Sequence, residues 1–357
     1  MLPADLIREG QRVMTVCNAC RYCEGYCPVF QAIEHRVTFA RGDLSYLANL
    51  CHDCGECLYA CQYAPPHEFG INVPKTLGEI RGASYEEYCW PQFLSGAFRR
   101  QRLLTLLSFG AGLVTIVMAA RMPLGRSDAG NFYQVVPHHV MVTLFTVVSM
   151  VVLTALGIGN ARFRRASKKG AGGVFPFFEA FRDALTLRHL HGNGIDCTHA
   201  EEARTPWRRW FHHFTFYGFA LCFASTTVAA LYHVVFGWRA PYAMTSLPVV
   251  LGTAGGLGLL IGPSGLLACR RHRDAARDAP GKSQLDVSFI ALLFLTSLSG
   301  LVLLAWRDGP AMGALLVVHL ALVLALFLTL PYGKFVHGVY RTAALVQYAR
   351  ERSTWTQ

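Results

Sequence analysis

Apolar residues are scattered over the first hundred positions and then gather into six long runs, near residues 103–120, 136–159, 210–236, 247–269, 285–306 and 313–336. Each run is long enough to cross a hydrocarbon core of about 30 Å as a helix. Ahead of them, Val29–Leu50 (VFQAIEHRVTFARGDLSYLANL) has a helical rather than a strand pattern, so the N-terminal part is expected to be helical as well.

The links between runs differ in charge. Arg162, Arg164, Arg165, Lys168, Lys169, Arg182, Arg188, Arg204, Arg208 and Arg209 crowd the second link, and Arg270, Arg271, Arg273, Arg277 and Lys282 the fourth. The other links carry only Arg121 and Arg126, then Arg239, then Arg307. By the positive-inside rule both termini and the two basic links face the cytoplasm, as expected at a bacterial inner membrane. The N-terminal segment MLPADLIREGQRVMTV has no continuous apolar core and is not expected to act as a signal peptide.

Composition agrees with a membrane protein. Of 357 residues, 53% are hydrophobic and only 15% charged, too apolar for an ordinary soluble pair of domains. The formal net charge of +11 then reads as loop charge at a membrane surface, and no nucleic-acid partner is expected.

Eight of the twelve cysteines form two matching sets, CNACRYCEGYCP from Cys17 to Pro28 and CHDCGECLYAC from Cys51 to Cys61, each spaced C-x-x-C-x-x-C-x-x-x-C. Reduced cytoplasmic thiols at this spacing surround compact iron-sulfur cores, and in two-cluster ferredoxins the last Cys of one run ligates the other cluster. By that rule Cys17, Cys20, Cys23 and Cys61 hold one [4Fe-4S] cluster, and Cys51, Cys54, Cys57 and Cys27 the second. Structural zinc takes four ligands, usually as two Cys pairs across a longer loop, which two uninterrupted quartets fit poorly. The second run differs in having Gln62 and Tyr63 before Pro65. His189, His191, Cys197 and His199 lie in a glycine-broken stretch that gives no fixed metal geometry.

Clusters beside a membrane need a next carrier, and intramembrane histidines are functional candidates by default. On one continuous last helix, His319 and His337 lie about five turns apart, on one face and about 27 Å from each other. The third run starts with His212 and His213 and ends with His233. Antiparallel packing pairs His337 with His212 or His213 at the inner level and His319 with His233 at the outer one; His212 is the better inner ligand, being about 60° from His233 around the axis. Histidines at helix ends also snorkel or bond the backbone. Four at two matched depths point instead to bis-histidine haem b, one or two groups. His138 and His139 are alternative outer ligands, a proton-handling pair near a quinone, or helix-end residues without function.

The glycines of GTAGGLGLLIG (Gly252–Gly262) lack the strand and acidic residue of a dinucleotide loop and are expected to let helices approach closely, with Pro263 kinking the helix. No flavin, nicotinamide or hydrolase signature occurs, so substrate chemistry is expected elsewhere and the chain is not expected to be a free-standing dehydrogenase.

The order of doubled cysteine run, basic link, RTPWRRWFHHFTFYGFALCFAST (Arg204–Thr226) and His-rich last span resembles the tricarballylate utilization B family, also called the citrate-utilization B family, over essentially the whole chain. His319–His337 is also similar to the last haem-binding helix of respiratory nitrate reductase gamma subunits, including Pro331-Tyr332; there one further helix supplies both opposing ligands at a shorter spacing than His212 to His233. The resemblance implies an electron conduit from a soluble FAD-dependent dehydrogenase, which oxidises tricarballylate to cis-aconitate, to membrane quinone. A conduit for another flavoprotein, a heterodisulfide-reductase relative, a redox sensor and a transporter remain as other classes.

The expected fold is therefore all-α, a helical two-cluster ferredoxin domain (1–95) fused to a six-span transmembrane helix bundle. The bundle divides into a two-span hairpin (96–160), a basic cytoplasmic linker (161–207) and a four-span haem-binding part (208–340), followed by a cytoplasmic tail (341–357).

Overall fold

A computed structural model describes residues 2–120, 131–167, 175–189, 197–198, 204–271, 276 and 282–355, and nearly all their regular structure is helical. Arg121, Arg126, Lys168, Lys169, Arg273, Arg277, His191 and His199 lie outside the described residues.

The cysteine runs sit where helices stop and start. Helix α1 (Ala4–Cys20) ends on Arg21, which takes a left-handed conformation (φ 55°) and returns its N–H to the Cys17 carbonyl. Cys17 and Cys20 thus share the last turn of α1, one face apart by three residues. Cys27 then caps α2 (Pro28–Glu34), where Pro28 presets the first helical φ. The second run repeats the scheme: α3 (Arg41–Leu50) ends at Cys51, Asp53 and Gly55 have positive φ (61° and 92°), and the short α4 (Glu56–Tyr59) carries Cys57. Helix α5 (Val73–Tyr88), capped by the Asn72 side chain accepting the Lys75 N–H at 3.1 Å, closes this helical domain.

Among the described residues six helices are long and apolar enough to cross a membrane. The first is a 3-10 segment (Gln92–Arg100) running into α6 (Gln101–Ala119). After the single turn α7 (Phe132–Val135) come α8 (His138–Ser167), the amphipathic α9 (Phe175–Leu185), α10 (Trp207–Phe236), α11 (Leu247–Arg271), α12 (Lys282–Ala305) and α13 (Met312–Thr329). A two-residue antiparallel pairing of Cys197–Thr198 with Arg204–Thr205 precedes α10.

Glycine explains the tightest interface, α10 against α11. A Cβ on Gly255 would stand 2.8 Å from the Cys222 nitrogen and the Gly218 carbonyl, and one on Gly262 2.5 Å from the Thr215 nitrogen, so the backbones touch where side chains would collide. Helix α6 packs along α13, where a Cβ on Gly112 would stand 2.9 Å from the Ala321 carbonyl, so the first spans join the later ones in one bundle.

The last span corrects a sequence expectation. The helix does not continue from His319 to His337: α13 stops at Thr329, a 3-10 turn (Leu330–Tyr332) follows, and a separate helix, α14 (Val336–Trp355), begins beyond Gly333. Pro331 and Gly333 break the run, and the Gly333 backbone approaches the Thr329 carbonyl so closely that a Cβ would stand 2.8 Å from it. The buried Gln101 side chain donates to the Tyr332 and Ala97 carbonyls, tying the start of α6 to this break. Asp286 on α12 pairs with Arg270 of α11 and Lys334 of the break, each at 2.7 Å.

Beyond the break, residues expected as a tail form part of the main core. Tyr340, Ala344, Leu345 and Tyr348 of α14 share one buried cluster with Met14, Leu44, Leu47 and Ile80 of the helical domain. A buried ion network fixes the register: Arg36 pairs with Asp43 at 3.0 Å and with Glu351 at 2.6 Å, stacks over Tyr46, and Glu351 also accepts from Tyr46 and Gln347. Removing one partner of such a network strands a buried charge. Glu351→Ala is expected to destabilise the protein by about 3 kcal/mol, read as a lowered thermal midpoint in detergent; an unchanged midpoint contradicts this role for the pair.

Candidate functional site

Two adjacent cavities collect the cysteines. Cys17, Cys20, Cys23 and Cys61 line the first, and Cys27, Cys51, Cys54 and Cys57 the second. Cys57, Phe30 and Val73 form the wall between them and line both. The fourth cysteine of each run therefore lies at the cavity of the other run. All eight are free thiols.

Burial and the neighbouring thiols push Cys17 and Cys23 up to about 12, and burial drives Cys27 and Cys57 upward too. Four thiolates cannot share such a pocket without cationic charge at its centre, so a group bound here must displace protons as it enters. Among the described residues no three Cys, His, Asp or Glu converge closely enough to hold a single metal ion. The sulfurs surround a space instead of meeting at a point, an arrangement that fits a polynuclear core better than zinc.

Three arginines hold the backbone that leads into the second cavity. Arg81 donates to the Ala48 carbonyl at 2.7 Å, Arg341 to the Leu50 carbonyl at 3.2 Å, and Arg208 to the His52 and Asp53 carbonyls at 3.1 and 2.8 Å. Burial, then Arg81, draws the Arg341 guanidinium down to about 10, partly offset by Cys51 and Cys27. His52 lines this cavity, buried, with neither ring nitrogen hydrogen-bonded.

Behind those arginines stand two histidines. The His212 ring, from the second turn of α10, faces the His337 ring, from the first turn of α14, with centroids 6.1 Å apart and planes at 82°. Two imidazoles on opposite sides of one metal, each bound at about 2 Å through a nitrogen about 1 Å from its ring centre, have centroids about 6 Å apart. His337 Nδ1 donates to the Lys334 carbonyl, which leaves Nε2 as the ligand atom, as metal-bound histidine usually donates its other ring N–H to a carbonyl or carboxylate. The buried His212 Nδ1 has no hydrogen-bond partner. Burial, then Lys334, holds the His337 imidazole down to about 4, so it stays neutral, as ligation requires. His213 turns away and stacks on Tyr217 (5.8 Å, 8°). The donor set and spacing of His212 and His337 fit haem.

The far end of the bundle is arranged differently from the sequence expectation. His233 stacks on His138, centroids 3.7 Å apart and planes at 24°, and Tyr133 packs edge-on against both. His319 is held instead by a hydrogen bond between its Nδ1 and the Ser299 hydroxyl at 2.9 Å, with Gly300 leaving room for its ring. At 3.7 Å, His138 and His233 are too close to flank a metal as they stand. The expected alignment of His319 with His337 on one helix face is lost with the break at Leu330–Lys334.

His189 Nε2 stands 3.2 Å from Asp183, which Arg182 and Arg188 also approach. Arg341 escaped the reading of the sequence, although its signal was there: His337 and Arg341, like Arg208 and His212, are four residues apart and share a helix face.

Two family models match the chain: one described as the citrate utilization protein B Fer4-like domain, over residues 10–87, and one described as citrate utilization protein B, over residues 97–356. The chain is also similar to a protein of Escherichia coli named citrate utilization protein B, with 48% identity over 349 residues, 96% of this chain and 92% of that protein. No solved structure matches it.

Proposed function

Starting from the fact that this chain belongs to the citrate utilization protein B family, we propose that it is a membrane conduit carrying electrons from a reduced soluble flavoprotein, through two [4Fe-4S] clusters and haem b, to the quinone pool. The Fer4-like domain gives it an iron-sulfur electron-transfer role, and its six apolar helices are compatible with a membrane protein.

The single observation that carries the haem part is the His212–His337 pair, set 6.1 Å apart behind the cysteine cavities. In this reading Cys17, Cys20, Cys23 and Cys61 hold one cluster, Cys27, Cys51, Cys54 and Cys57 the other, and His212 and His337 the haem. These groups, when bound, supply one-electron carriage, which a flavin releasing two electrons needs before a one-electron acceptor can be served. The protein's own contribution is fixed geometry. The buried thiols lose their protons only to a cationic core, the Lys334 carbonyl sets the His337 ring, and the apolar helices keep water from the path.

The basic links support placing the helical domain and both termini on the cytoplasmic side of a bacterial inner membrane, where a soluble donor can reach it. The Escherichia coli relative is named for citrate utilization; the donor proposed here is an FAD-dependent dehydrogenase acting on a tricarboxylate such as tricarballylate. At the far end His138 and His233 stack at 3.7 Å and His319 bonds Ser299, so among the described residues no second pair there is spaced as His212 and His337 are.

Two outcomes are expected of the anaerobically isolated protein. His212→Ala and His337→Ala each remove the inner haem's low-spin spectrum, whereas His213→Ala keeps it, all three with full acid-labile sulfide; an unchanged spectrum in His337→Ala contradicts the ligand assignment. His337 has a folded pKa lowered to about 4, so its neutral form persists above that value and is lost as pH falls through it. In the haem-free protein the His337 ring is accordingly expected to take up its proton near pH 4, read from its imidazole resonances, and a transition near the ordinary histidine value of 6.5 speaks against a buried ring.

A further inference from the structure

Two helices carry the same small device in opposite chain directions. On α10 Arg208 lies four residues before His212, and on α14 Arg341 lies four residues after His337, so each arginine sits one turn, about 6 Å of rise, from its histidine on the same face. The two histidines face each other, while the two arginines both reach the Leu50–Asp53 backbone, Arg341 at Leu50 and Arg208 at His52 and Asp53. That four-residue segment contains Cys51 and leads into Cys54, and both line the second cavity. No comparable contact joins α10 or α14 to the Cys17–Cys23 segment among the described residues; there Asn18 donates to the Arg36 carbonyl at 2.9 Å and Gln62 lies 3.8 Å from the Cys20 sulfur, neither partner being on those helices.

We propose that Arg208 and Arg341 are positioning residues that couple the second cavity to the His212–His337 pair, making the group held by Cys27, Cys51, Cys54 and Cys57 the one that reduces the haem. The inference rests on the proposed function and adds the order of carriers to it: first cavity, second cavity, haem. One electron leaves the second cluster and takes ferric haem iron to ferrous; no bond or proton moves at the arginines, which remain cationic. Their positive charge does two things. It favours the reduced, more negative state of the second cluster, and it braces the loop against two helices whose next turn holds the haem ligands. The first cavity lacks that brace.

The test is a potentiometric titration, by electron paramagnetic resonance for the clusters and visible absorption for the haem, of anaerobically purified full-length protein in detergent. Arg341→Gln and Arg208→Gln are compared with Arg341→Lys and Arg208→Lys, and the second-cavity signal is identified as the one lost in Cys54→Ala. In the Gln variants its reduction equilibrium is expected to move about tenfold toward the oxidised state, about 59 mV for one electron, with the other cluster unmoved. The Lys variants restore most of that shift, and haem reduction by the clusters slows at least tenfold in Arg341→Gln. A shift of the first-cavity signal, an equal shift of both, or no shift overturns the proposal. So does loss of iron or haem from the Gln and Lys variants alike, which would make the arginines merely structural. Absence of labile sulfide or haem from the unmodified protein would instead overturn the proposed function itself.

Discussion

The arrangement depends on the chain leaving the bundle at Leu330–Lys334 and laying α14 back onto the helical domain, where the buried Arg36–Glu351 pair locks it. These two residues are 315 positions apart, so the contact closes nearly the whole chain on itself. Had the last helix run straight on, His337 would have continued in line with His319. Because it turns, His337 meets His212 and Arg341 meets the end of α3 just before Cys51. An ion pair of this kind adds little net stability over an apolar packing, but its geometry admits one register, and register is what two facing ligands need.

Charge is distributed to the same end. The cysteine cavities raise the thiols' affinity for protons, so they stay neutral until a cationic core displaces those protons. Arg81, Arg208 and Arg341 then gather at the cavity nearer the histidines and not at the other. Further out, Asp286 holds Arg270 and Lys334, pinning the break itself. Polar groups thus concentrate at the junction between domain and bundle, whereas the spans are held by glycine-mediated backbone contact, as at Gly218 and Gly255.

Much of this was legible in the sequence because its signals are local. Six apolar runs announce six helices, the pattern of Val29–Leu50 announces α2 and α3, and Gly252–Gly262 reads as a packing stripe once no strand precedes it. Helical angle alone favoured His212 over His213, and it is the His212 ring that faces His337. What failed was the assumption that an apolar run is one helix. Pro331 and Gly333 lie in plain view, but the contact that Gln101 makes with the Tyr332 carbonyl, 231 positions away, does not. The far-end pairing failed for a related reason: His233 finds His138, because α7 and the start of α8 bring Tyr133 and His138 against α10. Arg341 lies in the stretch expected as a tail, 341–357, which instead packs into the core.

The most direct test of a joined iron-sulfur and haem path is electron paramagnetic resonance on the unmodified protein, isolated without oxygen and taken stepwise from oxidised to reduced. The account predicts a low-spin ferric bis-imidazole signal in the oxidised sample, giving way on reduction to two [4Fe-4S] signals broadened by each other's spin. High-spin haem, or a single unbroadened cluster signal, would contradict it.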